Sequence, residues 1–107
     1  MANPYYVPPA PAITKIEPVT FFGKPGAHIS GTEDLSSLPS GESIAINIID
    51  LTRDSQLLNQ NPIDVNSDGT WNATVPCGSG DSIYATAMVA DGDNLGPVSR
   101  SPVYTVP

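Results

Sequence analysis

The sequence predicts an all-β fold, a two-sheet β-sandwich of about seven strands, and two observations carry this prediction. Apolar and polar residues alternate through residues 70–75 and again through residues 82–90, which is the period of half-buried strands. Twelve prolines and nine glycines in 107 residues provide turn signals at short intervals, as many short strands require. Because two strands cannot bury their apolar faces alone, the other strands have to supply a second layer.

Other segments of the chain fit the same architecture. Pro18 interrupts the first predicted strand and Pro102 the last, and proline favours edge strands because it lacks a backbone donor. Ile49 disturbs the alternation of the most apolar strand, which suggests a bulge. The turn sequence at residues 66–69 predicts a hairpin that leads into the Trp71 strand. The predicted strands are residues 12–22, 27–32, 42–51, 62–65, 70–75, 82–90 and 98–106.

The alternation also assigns inner and outer faces. We expect Trp71 to be buried between the two sheets, on the same face as Ala73 and Val75. In residues 82–90 the predicted inner residues are Ile83, Ala85, Ala87 and Val89. The outer face then holds Tyr84, Thr86 and Met88, beside Ala45 and Asn47 of the neighbouring strand.

Such an outer face is a candidate contact surface. Tyr84 and Met88 are residue types enriched at the centre of protein interfaces, and charged residues are missing around them. Single exposed apolar residues are also ordinary on protein surfaces, so this interpretation has a plain structural alternative.

Residues 1–11 form a proline-rich segment that we expect to be an extended arm, leaving residues 12–107 for the sandwich. Proline removes backbone donors and favours polyproline II, so this segment does not suit the interior of a sheet. Two interpretations remain open, a frayed terminus and a docking arm. A stiff arm loses little entropy on binding, and tyrosine offers a large contact area. The candidate contact residues are Tyr5, Tyr6, Val7, Pro8 and Pro9.

Charge excludes some classes of partner. Four basic residues against eleven acidic ones give a formal net charge of −7, which disfavours nucleic acid and repels an anionic membrane surface. No apolar run is long enough for a transmembrane helix, and the N-terminus lacks a secretory signal. We therefore expect neither nucleic acid nor membrane as a partner, and, if Met1 is the natural start, a protein made without the general secretion route.

The residues predict no catalysis, no metal and no cofactor. His28 is the only histidine, so a histidine cluster for zinc cannot form. Cys77 is the only cysteine, and nothing near it in sequence would lower the pKa of its thiol. Asp91, Asp93 and Asn94 offer oxygens to calcium, but plain turn chemistry accounts for them as well.

Several short motifs resemble those of bacterial immunoglobulin-like domains, which are repeated in surface adhesins and also occur in virion proteins of tailed phages. The matching segments are ISGT at 29–32, DGTW at 68–71, VP at 75–76 and PVYTV at 102–106. The resemblance covers residues 12–107 and implies an immunoglobulin-like sandwich in which Trp71 fills the core. It specifies function poorly, because this fold has many roles.

The resemblance and the arm together predict a non-catalytic structural binding module, a tailed-phage virion protein that decorates or cements the capsid exterior. Its partners would be capsid or other virion subunits, with self-association on the particle a further option. It would reach the virion surface after assembly in the host cytoplasm. Two alternatives stay open: a spacer repeat of a bacterial cell-surface adhesin, with or without calcium, and a carbohydrate-binding accessory domain.

Overall fold

The computed structural model describes residues 6–91, 94–95 and 97–107, and within them the chain is all-β with two sheets. The strands are β1 (Ala12–Phe21), β2 (Lys24–Thr32), β3 (Ile44–Asp50), β4 (Gln56–Leu57), β5 (Ile63–Asp64), β6 (Thr70–Pro76), β7 (Ser82–Asp91), β8 (Asn94–Leu95), β9 (Ser99–Arg100) and β10 (Tyr104–Thr105). A single 3-10 turn, Leu51–Arg53, follows β3. No helix among the described residues is long and apolar enough to cross a membrane.

The first sheet has the strand order β1-β2-β6, and the second has β10-β7-β3-β4 as its main path. The short strands β5, β8 and β9 add to the second sheet, β5 beside β3 and the other two beside β7. All pairs are antiparallel. The described residues therefore contain ten strands, of which five have only two residues, against about seven expected.

Both prolines predicted to mark sheet edges lie where expected. Pro18 is in β1, which pairs only with β2 and forms one edge of the first sheet. Pro102 divides the predicted last strand into β9 and β10, and both of these pair with β7. A missing backbone donor is tolerated at these places because no further strand needs it.

Three local predictions are wrong. The register of β3 with β7 is continuous from Ile44 to Asp50, so Ile49 does not lie at a bulge and simply faces the other side. The turn at 66–69 forms, but it carries the chain from β5 in the second sheet to β6 in the first, so it is not a hairpin. The first turn comes earlier than expected, because Phe22 and Gly23 make it and β2 already begins at Lys24.

One apolar core lies between the sheets, and the predicted inner faces are confirmed. Trp71 is 1% exposed, and Ile83, Ala85 and Ala87 are completely buried. The isoleucines of β3 on the same side are buried with them: Ile44, Ile46 and Ile48. Full burial of such side chains stabilises the fold by about 1.5–3 kcal/mol each.

Trp71 fits between the sheets because Gly31 lies opposite it in the β2–β6 pair. A Cβ atom on Gly31 would lie 2.1 Å from Cζ2 of the indole and 2.3 Å from the carbonyl oxygen of Ala12. Neither neighbour is the free end of a flexible side chain. The tryptophan therefore requires glycine at position 31, because the edge of the indole occupies the space that a side chain there would need.

Gly31→Ala should lower the free energy of unfolding by about 3 kcal/mol, because the added methyl group has to displace either the indole or the β1 backbone. Gly78→Ala is the control, since its added carbon would meet only the ends of side chains, Arg53 at 3.4 Å and the Asp81 carboxylate oxygens at 3.5 Å and 3.8 Å. Urea unfolding followed by circular dichroism measures both. Equal stability of the two variants would contradict this packing.

Candidate functional site

The arm residues that the structure describes pack against the sandwich. Pro8 and Pro11 are fully buried, and Tyr6 is half-buried against the core. The Ser99 hydroxyl in β9 donates a short hydrogen bond to the carbonyl oxygen of Pro8. At Pro8 the arm is therefore attached to β9 of the second sheet.

This packing divides the candidate contact residues of the arm into two groups. Tyr6 and Pro8 contribute to packing, and Val7, which is 59% exposed, faces solvent with Pro9 half-buried. Tyr5 lies outside the described residues. The arm can thus present Val7 from a fixed backbone, an arrangement that the sequence did not predict.

Two further exposed valines flank β9 and β10, the C-terminal strands that pair with β7. Val98 directly precedes Ser99 and is 52% exposed, and Val103 lies between β9 and β10 and is 56% exposed. We call Val7, Val98 and Val103 the edge surface. Apolar side chains on an edge bounded by prolines can be covered by a partner without extending the sheet.

The outer face of β7 differs from the prediction. Tyr84 is only 8% exposed, Thr86 is 9% exposed, and Met88 is half-buried. The guanidinium of Arg100 lies over the Tyr84 ring, 5.1 Å from its centroid, in cation–π geometry. The expected open surface at Tyr84 is therefore wrong, because the segment containing β9 covers it.

The neighbours predicted for this face are confirmed. Ala45 pairs with Met88 and Asn47 with Thr86 in the β3–β7 register. Side chains directly opposite each other on antiparallel strands lie on the same face, so these four residues share the outer face of the second sheet.

The long β1–β2 hairpin is a feature that sequence reasoning missed. Its pairs run to Phe21 and Lys24, whereas β6 covers β2 only from Gly26 to Thr32. Residues 18–20 and 22–25 are all exposed, on both faces of the ribbon. The hairpin therefore projects beyond the core, and Phe22 at its tip is 91% exposed.

A signal for this tip was present in the sequence. The chain has only two phenylalanines, and they are adjacent and followed by glycine. Their rings meet edge to face with centroids 4.8 Å apart. The predicted first strand, residues 12–22, placed Phe22 within the strand, whereas Phe22 lies in the turn.

A cluster of charged groups lies at one end of the second sheet, where β3 ends and β7 begins. Asp50 is completely buried, and its Oδ1 accepts a hydrogen bond of 3.0 Å from the backbone N–H of Thr52. Asp81 Oδ2 accepts from Arg53 Nε and from the backbone N–H of Gly78, both at 3.0 Å. Arg53 Nε is also 3.6 Å from Asp50 Oδ2.

The two carboxyl groups of this cluster titrate differently. Burial and the neighbouring Asp81 carboxylate raise the pKa of Asp50 to about 6. Hydrogen bonds from Asp50, Gly78 and Arg53 lower the pKa of Asp81. Asp50 Oδ2 has no hydrogen-bond partner among the described residues, so no hydrogen bond at this atom offsets the burial that disfavours its charged form.

Within the part of the chain that the structure describes, the only thiol and the only imidazole show no arrangement for nucleophilic catalysis. Cys77 is buried, and burial followed by the charges of Asp81 and Asp50 raises the pKa of its thiol, opposite to what a nucleophile needs. His28 Nδ1 is engaged with the Thr74 hydroxyl at 2.8 Å. Among the described residues no group of three potential ligands could hold a metal ion. Asp93, one of the three residues that offer oxygens to calcium in the sequence, lies outside them.

The chain was compared with protein-family models, with curated proteins and with solved structures, and none of the three comparisons gave a match.

We expect the free energy of unfolding to fall as pH rises from 5 to 8. A carboxyl whose folded pKa of about 6 exceeds its unfolded value of 3.8 contributes stability that is complete below 3.8 and lost as pH rises through 6. Asp50→Asn keeps the acceptor for Thr52 and removes this charge. The difference in free energy of unfolding, Asp50→Asn minus wild type, should therefore be about 2 kcal/mol larger at pH 8 than at pH 4.

Two further variants separate the contribution of Asp50 to the pH dependence of stability from that of other carboxyl groups. Glu33 is also buried, and desolvation raises its pKa to about 7, so Glu33→Gln measures its own share of the slope. The pKa of exposed Asp68 is lowered by hydrogen bonds from Thr70, so Asp68→Asn should leave the slope from pH 5 to 8 unchanged. Parallel urea curves for wild type and Asp50→Asn at every pH would contradict the Asp50–Asp81 pair.

Proposed function

We propose that this chain is a non-catalytic structural binding module, a tailed-phage virion protein that decorates or cements the capsid exterior. The proposal rests on the resemblance to bacterial immunoglobulin-like domains and on the exposed apolar residues around the packed arm. Its partners are capsid or other virion subunits, with self-association on the particle as a further contact. Assembly in the host cytoplasm places it on the virion surface.

The strand order supports the immunoglobulin-like part of the proposal. In an immunoglobulin sandwich the strands A, B and E share one sheet, and C, F and G share the other. Here β1, β2 and β6 form one sheet, and β3 and β7 with the C-terminal segments β9 and β10 form the other. Assigning β1 to A, β2 to B and β6 to E gives the same partition.

The fixed arm is the observation that carries the binding role. Burial of Pro8 and Pro11 and the hydrogen bond from Ser99 hold the arm before any partner arrives, so little ordering entropy is lost on binding. Val7, Val98 and Val103 are then the exposed apolar side chains that a partner would cover. Many copies on a symmetric shell would combine weak single contacts into durable attachment.

The alternatives receive less support. A carbohydrate-binding domain usually displays an exposed planar aromatic, and Trp71, the best candidate in the sequence, is buried. An adhesin spacer repeat would share the strand order, and no described residue favours it over a virion protein. A melting temperature raised by calcium and restored by a chelator would favour the adhesin.

Val7→Asp should weaken binding to capsids that lack this protein by about tenfold or more, because it places a charge in the contact. Leu57→Asp is the matched control: Leu57 is 50% exposed, but it lies in β4 at the opposite edge of the second sheet. Co-sedimentation of each variant with capsids measures binding. Deleting the arm is a poorer test, since it would also remove buried Pro8 and Pro11.

We expect the wild-type protein and Leu57→Asp to bind capsids and Val7→Asp to lose binding. Equal binding of all three would remove the edge surface from the contact. Failure of the wild-type protein to bind capsids would contradict the proposed function itself.

A further inference from the structure

We propose that the tip of the β1–β2 hairpin is a second docking element, which inserts Phe22 into an apolar, acid-rimmed pocket of the partner protein. This inference rests on the proposed function for the identity of the partner, a capsid subunit. It names a contact separate from the edge surface, because β1 belongs to the first sheet and β10 to the second.

The first argument is the exposure of Phe22. Aromatic side chains have large apolar areas, and in a small domain they are usually buried in the core. Here the side chain is 91% exposed and points from a ribbon that is itself exposed on both faces through residues 18–20. Val19 adds a further exposed apolar side chain, and Phe21 supports the tip by packing against Phe22.

The second argument is the backbone at the tip. Phe22 and Gly23 form the two-residue turn with φ angles of 50° and 76°, the left-handed values of a type I′ turn. Glycine and asparagine suit this region, whereas a bulky side chain there is strained. Phenylalanine at Phe22 therefore serves neither burial nor turn formation, and a contact with another molecule accounts for it.

The third argument is charge, which selects the chemistry of the partner. Residues 12–32 hold two lysines and one glutamate, while the rest of the chain holds ten acidic and two basic residues. Lys15 is paired with Glu17 at 3.3 Å, which leaves Lys24 as the lysine at the tip. A pocket with carboxylates at its rim complements Phe22 flanked by Lys24.

The same charge disfavours two other occupants. A second copy of the chain would bring together two molecules with a formal charge of −7, and an anionic membrane is an extended surface that would also face the acidic remainder, whereas the rim of a pocket faces only the tip. The prolines at 18 and 25 also limit pairing of the hairpin with a foreign strand, because they lack backbone donors. These features favour insertion of the Phe22 side chain into a pocket.

Phe22→Asn separates docking from folding. Asparagine followed by glycine is a preferred type I′ sequence, so the variant should fold and its melting temperature should rise by about 2–6 °C. Its binding to capsids that lack this protein should nevertheless weaken by about tenfold or more. Lys24→Glu should weaken binding at low salt and less so at high salt. Leu57→Asn, on an exposed side chain far along the second sheet, is the control.

Co-sedimentation, thermal unfolding and light scattering test the inference. The inference is supported if Phe22→Asn is more stable than wild type but binds capsids weakly, while the wild-type protein and Leu57→Asn both bind. Undiminished binding of Phe22→Asn overturns it while leaving the proposed function intact. Phe22-dependent self-association, or Phe22-dependent binding to phosphatidylserine vesicles, overturns the choice of partner. A wild-type protein that binds no capsid overturns the proposed function, and the hairpin contact with it.

Discussion

The contact between Trp71 and the backbone at Gly31 is the constraint on which the rest of the structure depends. The indole is the largest buried side chain and packs within the core between the two sheets. It fits only because β2 has no side chain opposite it. Trp71 Nε1 has no hydrogen-bond partner among the described residues, so apolar packing, not a polar anchor, holds the ring.

A core fixed in this way leaves binding to the periphery. The arm is tied to β9 by the bond between Ser99 and Pro8, and the β1–β2 hairpin extends past the last pair with β6. Both elements expose apolar side chains on well-defined backbones, Val7 in one and Phe22 in the other. The buried Asp50–Asp81 pair lies at one end of the second sheet, and from the raised pKa of Asp50 we expect the stability of the fold to depend on pH.

The sequence predicted strand faces and turns, which depend on local residue patterns. It could not predict contacts between segments that are far apart in the chain. Alternation correctly placed Ile83 on the inner face of the sheet and Tyr84 on the outer face. It carried no information that Arg100 would cover the Tyr84 ring and bury it. Turn residues at 66–69 identified a turn without showing which sheet the next strand would join. The Asp50–Asp81 pair joins residues far apart in sequence, so only the folded register of β3 and β7 brings them together.

Fluorescence of Trp71, the only tryptophan, tests the arrangement of inner and outer surfaces most directly. With the indole 1% exposed, emission should be blue-shifted relative to the unfolded chain, and acrylamide should quench it weakly until urea unfolds the protein. Strong quenching in the native state would show that the indole meets solvent. The division between a closed core and a binding periphery would then be wrong.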